Sequence, residues 1–181
     1  MKRYLYLWHR WLGIVACLFM ALWFISGVVM LYVGYPKLTP AEHLAHLPVL
    51  QLEPAPADLG QVLHAADPHQ PPTRIRLTTV AGQPRYILEY PGPRKVAVDS
   101  HSGQPAAPPD RVEALAAARQ FAPEAVARDR GVVQEDMWSL SRALDADRPL
   151  HRVAIADAER RLLYISGTTG EVVRDLSLIH I

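Results

Sequence analysis

Cysteine is all but missing from this chain: Cys17 stands alone, which rules out an intramolecular disulfide. It leaves the compartment open, because oxidising compartments permit bridges without requiring them. There is no Gly-rich phosphate loop, G-x-S-x-G elbow or Cys-His pair, so nucleotide and hydrolase chemistry lack support. Acidic residues are missing from the amino-terminal part: all 18 come after Tyr35, against 16 of the 19 basic residues. The later part is therefore about two charges negative and has no basic face of the kind nucleic acid needs, and nucleic acid is excluded as a partner. The most consequential absence is of charge altogether, between Trp11 and Tyr35.

That uncharged stretch predicts a membrane-spanning helix. Leu12 to Val33 rises roughly 33 Å as a helix, close to the ~30 Å hydrocarbon thickness, whereas a secretory signal core has about 7 to 15 apolar residues. Twelve of its positions are Leu, Ile, Val or Phe. They give an insertion term of roughly −4 to −7 kcal/mol. A buried core helix is the competing explanation, and the lack of a polar face argues against it. Lys2, Arg3 and Arg10 precede the segment and only Lys37 follows before Arg74, so the amino terminus is expected in the cytoplasm. Tyr4, Tyr6, Trp8 and Trp11 on one side, and Tyr32 and Tyr35 on the other, fit the two interfaces. No A-x-A-like cleavage site follows, so the expectation is an uncleaved, single-pass signal anchor in a bacterial inner membrane, with everything from Pro36 onward periplasmic.

Beyond the span, Thr39-Pro40-Ala41-Glu42 has the pattern of a capping box with proline at the first helical position, opening a short juxtamembrane helix closed by Pro48. Pro48, Pro54 and Pro56 then stiffen a linker. The predicted divisions are 1–35 (amino terminus and span), 36–55 (juxtamembrane helix and linker), 56–107 and 108–175 (two small units), and a tail, 176–181. In the first unit Leu59, Val62, Leu63 and Ala66 form a helical stripe ended by Asp67-Pro68. Alternating strands follow around Ile75–Leu77, Tyr86–Tyr90 and Val96–Val98, closed by Asp99-Ser100-His101-Ser102-Gly103-Gln104. The order then recurs. Asp110 with Glu113 predicts a second capping box, Val112, Leu115, Ala116 and Phe121 an apolar stripe, and strands are expected at Met137–Leu144, Leu150–Ala156 and Leu162–Ser166. The turn Ser166-Gly167-Thr168-Thr169-Gly170-Glu171 matches the first in pattern. The fold class is therefore α+β: one amino-terminal transmembrane helix, then two units of a helix against an antiparallel sheet. Leu59, Val62 and Leu63 should cover Tyr86 and Leu88, and Leu115 should cover Val153 and Ile155.

The opening Trp8-His9-Arg10-Trp11-Leu12-Gly13, the span with Ser26-Gly27, and two units ending in Asp-x-x-Ser-Gly-Gln and Ser-x-x-Thr-Gly-Glu resemble the amino-terminal part of PepSY-associated transmembrane proteins, over residues 1 to about 175. The resemblance implies tandem periplasmic PepSY domains on a protein with further membrane spans. PepSY domains are similar to those of peptidase propeptides, which implies a binding or regulatory module with a periplasmic peptidase as partner. Some relatives resemble ferric-siderophore reductases, which implies the alternative: the amino-terminal part of an iron-uptake oxidoreductase holding haem b between helices and facing an iron complex. The tail from Leu176 to Ile181 resembles translated adapter sequence and is expected to be non-native, a terminal strand being the other possibility.

His9, Gly13, Cys17 and Ala21 are spaced by four and share one face of the span, small residues below a histidine. Such a face admits another transmembrane helix of the same protein, a second copy, or a haem edge. The reductase resemblance implies His9 as an axial ligand beside Gly13, with the second ligand supplied from elsewhere. His43 and His46, at i and i+3, have possible metal spacing without a third ligand nearby, and a solvated helix is expected. His64, His69, His101 and His151 are expected at the surface, and Glu135-Asp136 and Asp145–Asp147 in solvated loops. No catalytic residue is assigned and no metal site is expected.

Overall fold

The computed structural model describes residues 2–32 and 38–177; Val33, Tyr35 and the tail beyond Ser177 lie outside the described residues. The chain divides into two compact units, Met1–Pro36 and Lys37–Ile181. In the first, Lys2–Tyr32 is one unbroken helix, α1, long and apolar enough to cross a membrane. The Ser26 hydroxyl, the most polar group in its second half, donates to the Trp23 carbonyl at 2.9 Å and so costs little in an apolar setting.

The larger unit begins with α2, Pro40–Ala45. Its capping box is complete: the Thr39 side chain accepts from the Glu42 N–H, and the Glu42 carboxylate accepts from the Thr39 N–H at 2.8 Å. A helix and an antiparallel meander follow, twice. In the first half α3, Leu59–Ala66, is capped by Asp58 and precedes β1 (Arg74–Val80), β2 (Gln83–Tyr90) and β3 (Arg94–Asp99), in sheet order β1-β2-β3. In the second, α4, Arg111–Phe121, precedes β4 (Val126–Val133), β5 (Leu150–Ala156), β6 (Leu162–Ser166) and β7 (Val172–Leu176), in order β4-β5-β6-β7.

The same six-residue turn closes β3 and β6. Asp99 Oδ1 accepts from the N–H groups of His101 and Ser102, and Ser166 Oγ accepts from those of Thr168 and Thr169. The Gly103 N–H then donates to the Asp99 carbonyl, and the Gly170 N–H to that of Ser166, both at 2.9 Å. Both glycines have positive φ, 67° and 80°, where a side chain is strained. After the second turn the chain continues as β7. After the first, Gln104-Pro105-Ala106-Ala107-Pro108-Pro109 makes a single bridge, Val98 to Pro105, because prolines cannot donate to a ladder.

Each helix covers one face of its sheet. Val62 of α3 packs with Leu88, Tyr90 and Val98, while Leu59 stays 44% exposed. In α4 the buried stripe is Ala114, Ala117, Ala118 and Phe121, against Val153, Ile155, Leu163 and Ile165. Leu115 is partly buried and packs against this cluster, as expected, and Phe121 belongs to it, but Val112 is exposed and the fully buried positions are mostly alanines, which allow the closer approach to the sheet. Three further expectations are corrected. The first strand of the second half is Val126–Val133, with a bulge at Gly131, and not Met137–Leu144, where Asp136, Ser139 and Ser141 occupy backbone N–H groups and a 3-10 helix, Arg142–Asp147, follows. The second capping box is half made: Asp110 accepts from the Glu113 N–H, but the Glu113 carboxylate turns to Arg85. Leu176, set apart with the tail, ends β7 with its side chain fully buried.

Candidate binding cleft

Alternation gives the first sheet a second face. Opposite Ile75, Leu88 and Val96 stand Arg74, Arg76, Arg85, Ile87, Glu89, Lys95 and Ala97, brought together by the pairings Arg74–Glu89, Arg76–Ile87, Ile87–Ala97 and Glu89–Lys95. Ile87 and Ala97 are buried at its centre. This face meets the second half of the chain. Arg76 forks onto both oxygens of Glu171 at 2.9 and 3.1 Å, Lys95 reaches both oxygens of Asp147 at 2.9 and 2.7 Å, and Arg85 pairs with Glu113 at 2.5 Å. Gln120 of α4 receives the Gly82 N–H and donates to the Thr79 carbonyl.

Between these pairs lies a cleft of about 530 Å³, lined by Arg74, Arg76, Glu89 and Lys95 of the first half, Asp147, Glu171, Val173 and Arg174 of the second, His43 and Leu44 of α2, and Leu38 just before it. Its carboxylates are deeply placed, with Asp147 1% and Glu171 6% exposed. Burial raises the Asp147 pKa, against the pull of Lys95. Burial also works against the Arg76 charge, but Glu171 and Glu89 outweigh it and raise its pKa. Both buried anions are thus ion-paired within the protein. At the rim the Arg74 side chain is 66% exposed, with Glu89 no nearer than 3.8 Å, so it can turn to an incoming anionic group. The cleft therefore offers apolar wall, paired charge and an exposed cation.

Several residues expected in solvent are instead partly or fully covered. His43 and His46 face the protein, the His46 ring stacked on Phe121 at 4.1 Å. His151 is buried, its Nε2 3.1 Å from the Pro109 carbonyl oxygen. Asp136 accepts from the Tyr164 hydroxyl at 2.7 Å, and Asp147 carries the ion pair with Lys95. One signal for the cleft was present: apolar Ile87 and Ala97 share a strand face with Arg74, Arg76, Arg85, Glu89 and Lys95, which a solvated face does not need.

His9, Gly13, Cys17 and Ala21 lie along one side of α1, exposed, with nothing within 4 Å of the place a Gly13 Cβ would take. His9 is the one histidine of α1, and its side chain is exposed. Among the described residues no group of three or more His, Cys, Asp or Glu is arranged to hold a metal ion. No family model, curated protein or solved structure matches the chain.

Proposed function

We propose that the chain is a binding or regulatory module of the PepSY-associated kind, anchored in the inner membrane with its amino terminus in the cytoplasm, whose two helix-and-sheet halves act in the periplasm as tandem PepSY units. The observation that carries this reading is the cleft where the halves meet: about 530 Å³, charged, with its deep carboxylates Asp147 and Glu171 ion-paired, which supports a surface for recognition. Its partner is a protein segment, that of a periplasmic peptidase in the first instance, laid across Arg74 and the apolar wall of Leu38, Leu44 and Val173. The basic flank Lys2, Arg3 and Arg10 supports the orientation.

Two measurements test it. Alkaline phosphatase fused after Ser177 should be active in cells; an inactive fusion, with a cytoplasmic reporter active at the same place, overturns the topology. A photo-crosslinking residue in place of Arg74 should give a discrete adduct with one periplasmic protein, and the same residue in place of the exposed Val112 on α4 should not. No adduct from Arg74, or equal adducts from both positions, overturns the cleft as the binding surface.

A further inference from the structure

One end of the seam between the halves is closed by α2. The helix has six residues, none buried, and a helix that short does not persist in water, so its shape depends on packing beyond the capping box. Two histidines supply that packing. The His43 side chain is 19% exposed, its Nε2 has no hydrogen-bond partner, and it lies 3.8 Å from Glu171 Oε1. The His46 ring stacks on Phe121 with an interplanar angle of 11°, and its Nδ1 is 2.8 Å from the Glu42 carbonyl oxygen. Beneath them the pocket edged by Val80, Ala117 and Gly170 retains about 20 Å³, room for roughly one water.

We propose that α2 is a histidine-keyed latch on the seam, closed while His43 is neutral and released when His43 takes a proton. The groups that face His43 set this balance. Glu171 attracts the proton, but Arg76 already holds both Glu171 oxygens and repels it, as does His46 on the same helix; a hydrogen bond with the Val172 backbone favours the charged form. Around His46 stand the Glu42 and Asp175 carboxyls. Burial, the largest of the effects on His43, opposes the charge, and the docked His43 has a lowered pKa. The released histidine, at its ordinary value of about 6.5, binds a proton more readily than the docked one. Docking is therefore complete above that value and weakens as pH falls through it, until the docked ring itself titrates. One pH unit below, a docked ring that refused the proton altogether would lower docking about tenfold, which is the ceiling. The latch is a contact within this chain and stands whether or not the cleft binds a partner.

Amide exchange tests it on the full chain in lipid nanodiscs at about pH 7.5 and 5.5, with rates corrected for intrinsic exchange. The reporters are the N–H groups of His43, His46 and Leu47, which donate to the carbonyls of Thr39, His43 and Leu44. Their protection should fall several-fold at the lower pH while β5 and β6 stay protected. The fall should vanish in His43→Gln and persist in His46→Gln. An unchanged wild type, or an equal fall in His43→Gln, overturns the proposal. If His43→Gln does not fold, the wild-type imidazole signals decide: titration of His43 below about 6.5 supports the latch, and titration at or above it overturns it.

Discussion

Counted from their equivalent turns, Lys95 and Leu162, Ala97 and Tyr164, Ile87 and Arg152, and Arg85 and Leu150 occupy matching places on the two sheets, on the face away from the helix. In the second half that face has its own cover: residues 134–149 fold back over it, and Leu144 and Trp138 pack with Leu150, Tyr164 and Leu176 in a second core. In the first half β1 and β2 are joined by the tight turn Ala81–Gly82, which supplies no cover of its own, and the face carries cations around a small Ala97. It is covered by the other half, and Asp147, the end of that half's own cover, receives Lys95. The length of one connection thus decides whether a sheet completes itself or needs a neighbour. The needy half is the one that builds the cleft.

The comparison breaks most severely at Lys95. Lys95→Met leaves the Asp147 carboxylate buried without its cation and should cost about 3–5 kcal/mol, read by equilibrium urea unfolding of the full chain in detergent micelles. Adding Asp147→Leu should recover most of the loss, because the penalty belongs to the orphaned charge and not to the missing attraction. A double variant no better than the single would mean that Lys95 acts by another route. Leu144→Ala, which thins the second half's own cover, should cost about 2–4 kcal/mol in the same experiment. Exchange at β5 and β6 should rise more than at β2 and β3; equal rises would mean that residues 134–149 hold both halves alike.

The helix face of each half was legible because it is written locally. Ile75, Leu77, Tyr86 and Leu88 alternate at strand period, and Asp99–Gln104 and Ser166–Glu171 announce their turns by residue type. β4 was not, since Arg128, Asp129, Arg130 and Gly131 interrupt the pattern at a bulge, while Met137, Trp138 and Leu140 imitate a strand that local side-chain bonds to the backbone forbid. The cleft is harder still. Lys95 with Asp147, and Arg76 with Glu171, are partners far apart in sequence, and each residue taken singly looks like an ordinary solvated charge. The helical spacing of His43 and His46 was visible, but what they face is decided by the seam, which exists only once both sheets have formed.

The shared turn sharpens the comparison at smaller cost. Gly170→Ala should destabilise more than Gly103→Ala, by about 1–3 kcal/mol against roughly 1, although both need positive φ. A Cβ at Gly170 would stand 2.7 Å from Val80 Cγ1 across the seam, whereas at Gly103 its nearest neighbour, at 3.0 Å, is the movable end of Gln61. Equal losses would show that the close approach to Val80 relaxes freely.

The smallest effect separates the two turns by pH. Asp99 receives the backbone and hydroxyl hydrogens of Ser102, which hold its carboxyl below the ordinary value, while Ser166 does the same work with a group that does not titrate. A depressed carboxyl contributes stability that is complete above the unfolded value of about 3.9 and is lost as pH falls through the lower folded value. Other carboxyls titrate over the same range, so the turns must be compared within one sample. Exchange of the Gly103 N–H, which donates to the Asp99 carbonyl, should accelerate below about pH 4 relative to that of Gly170, which donates to Ser166. Asp99→Ser should make the two turns respond alike; a difference that survives this substitution would place the acid sensitivity elsewhere in the first half.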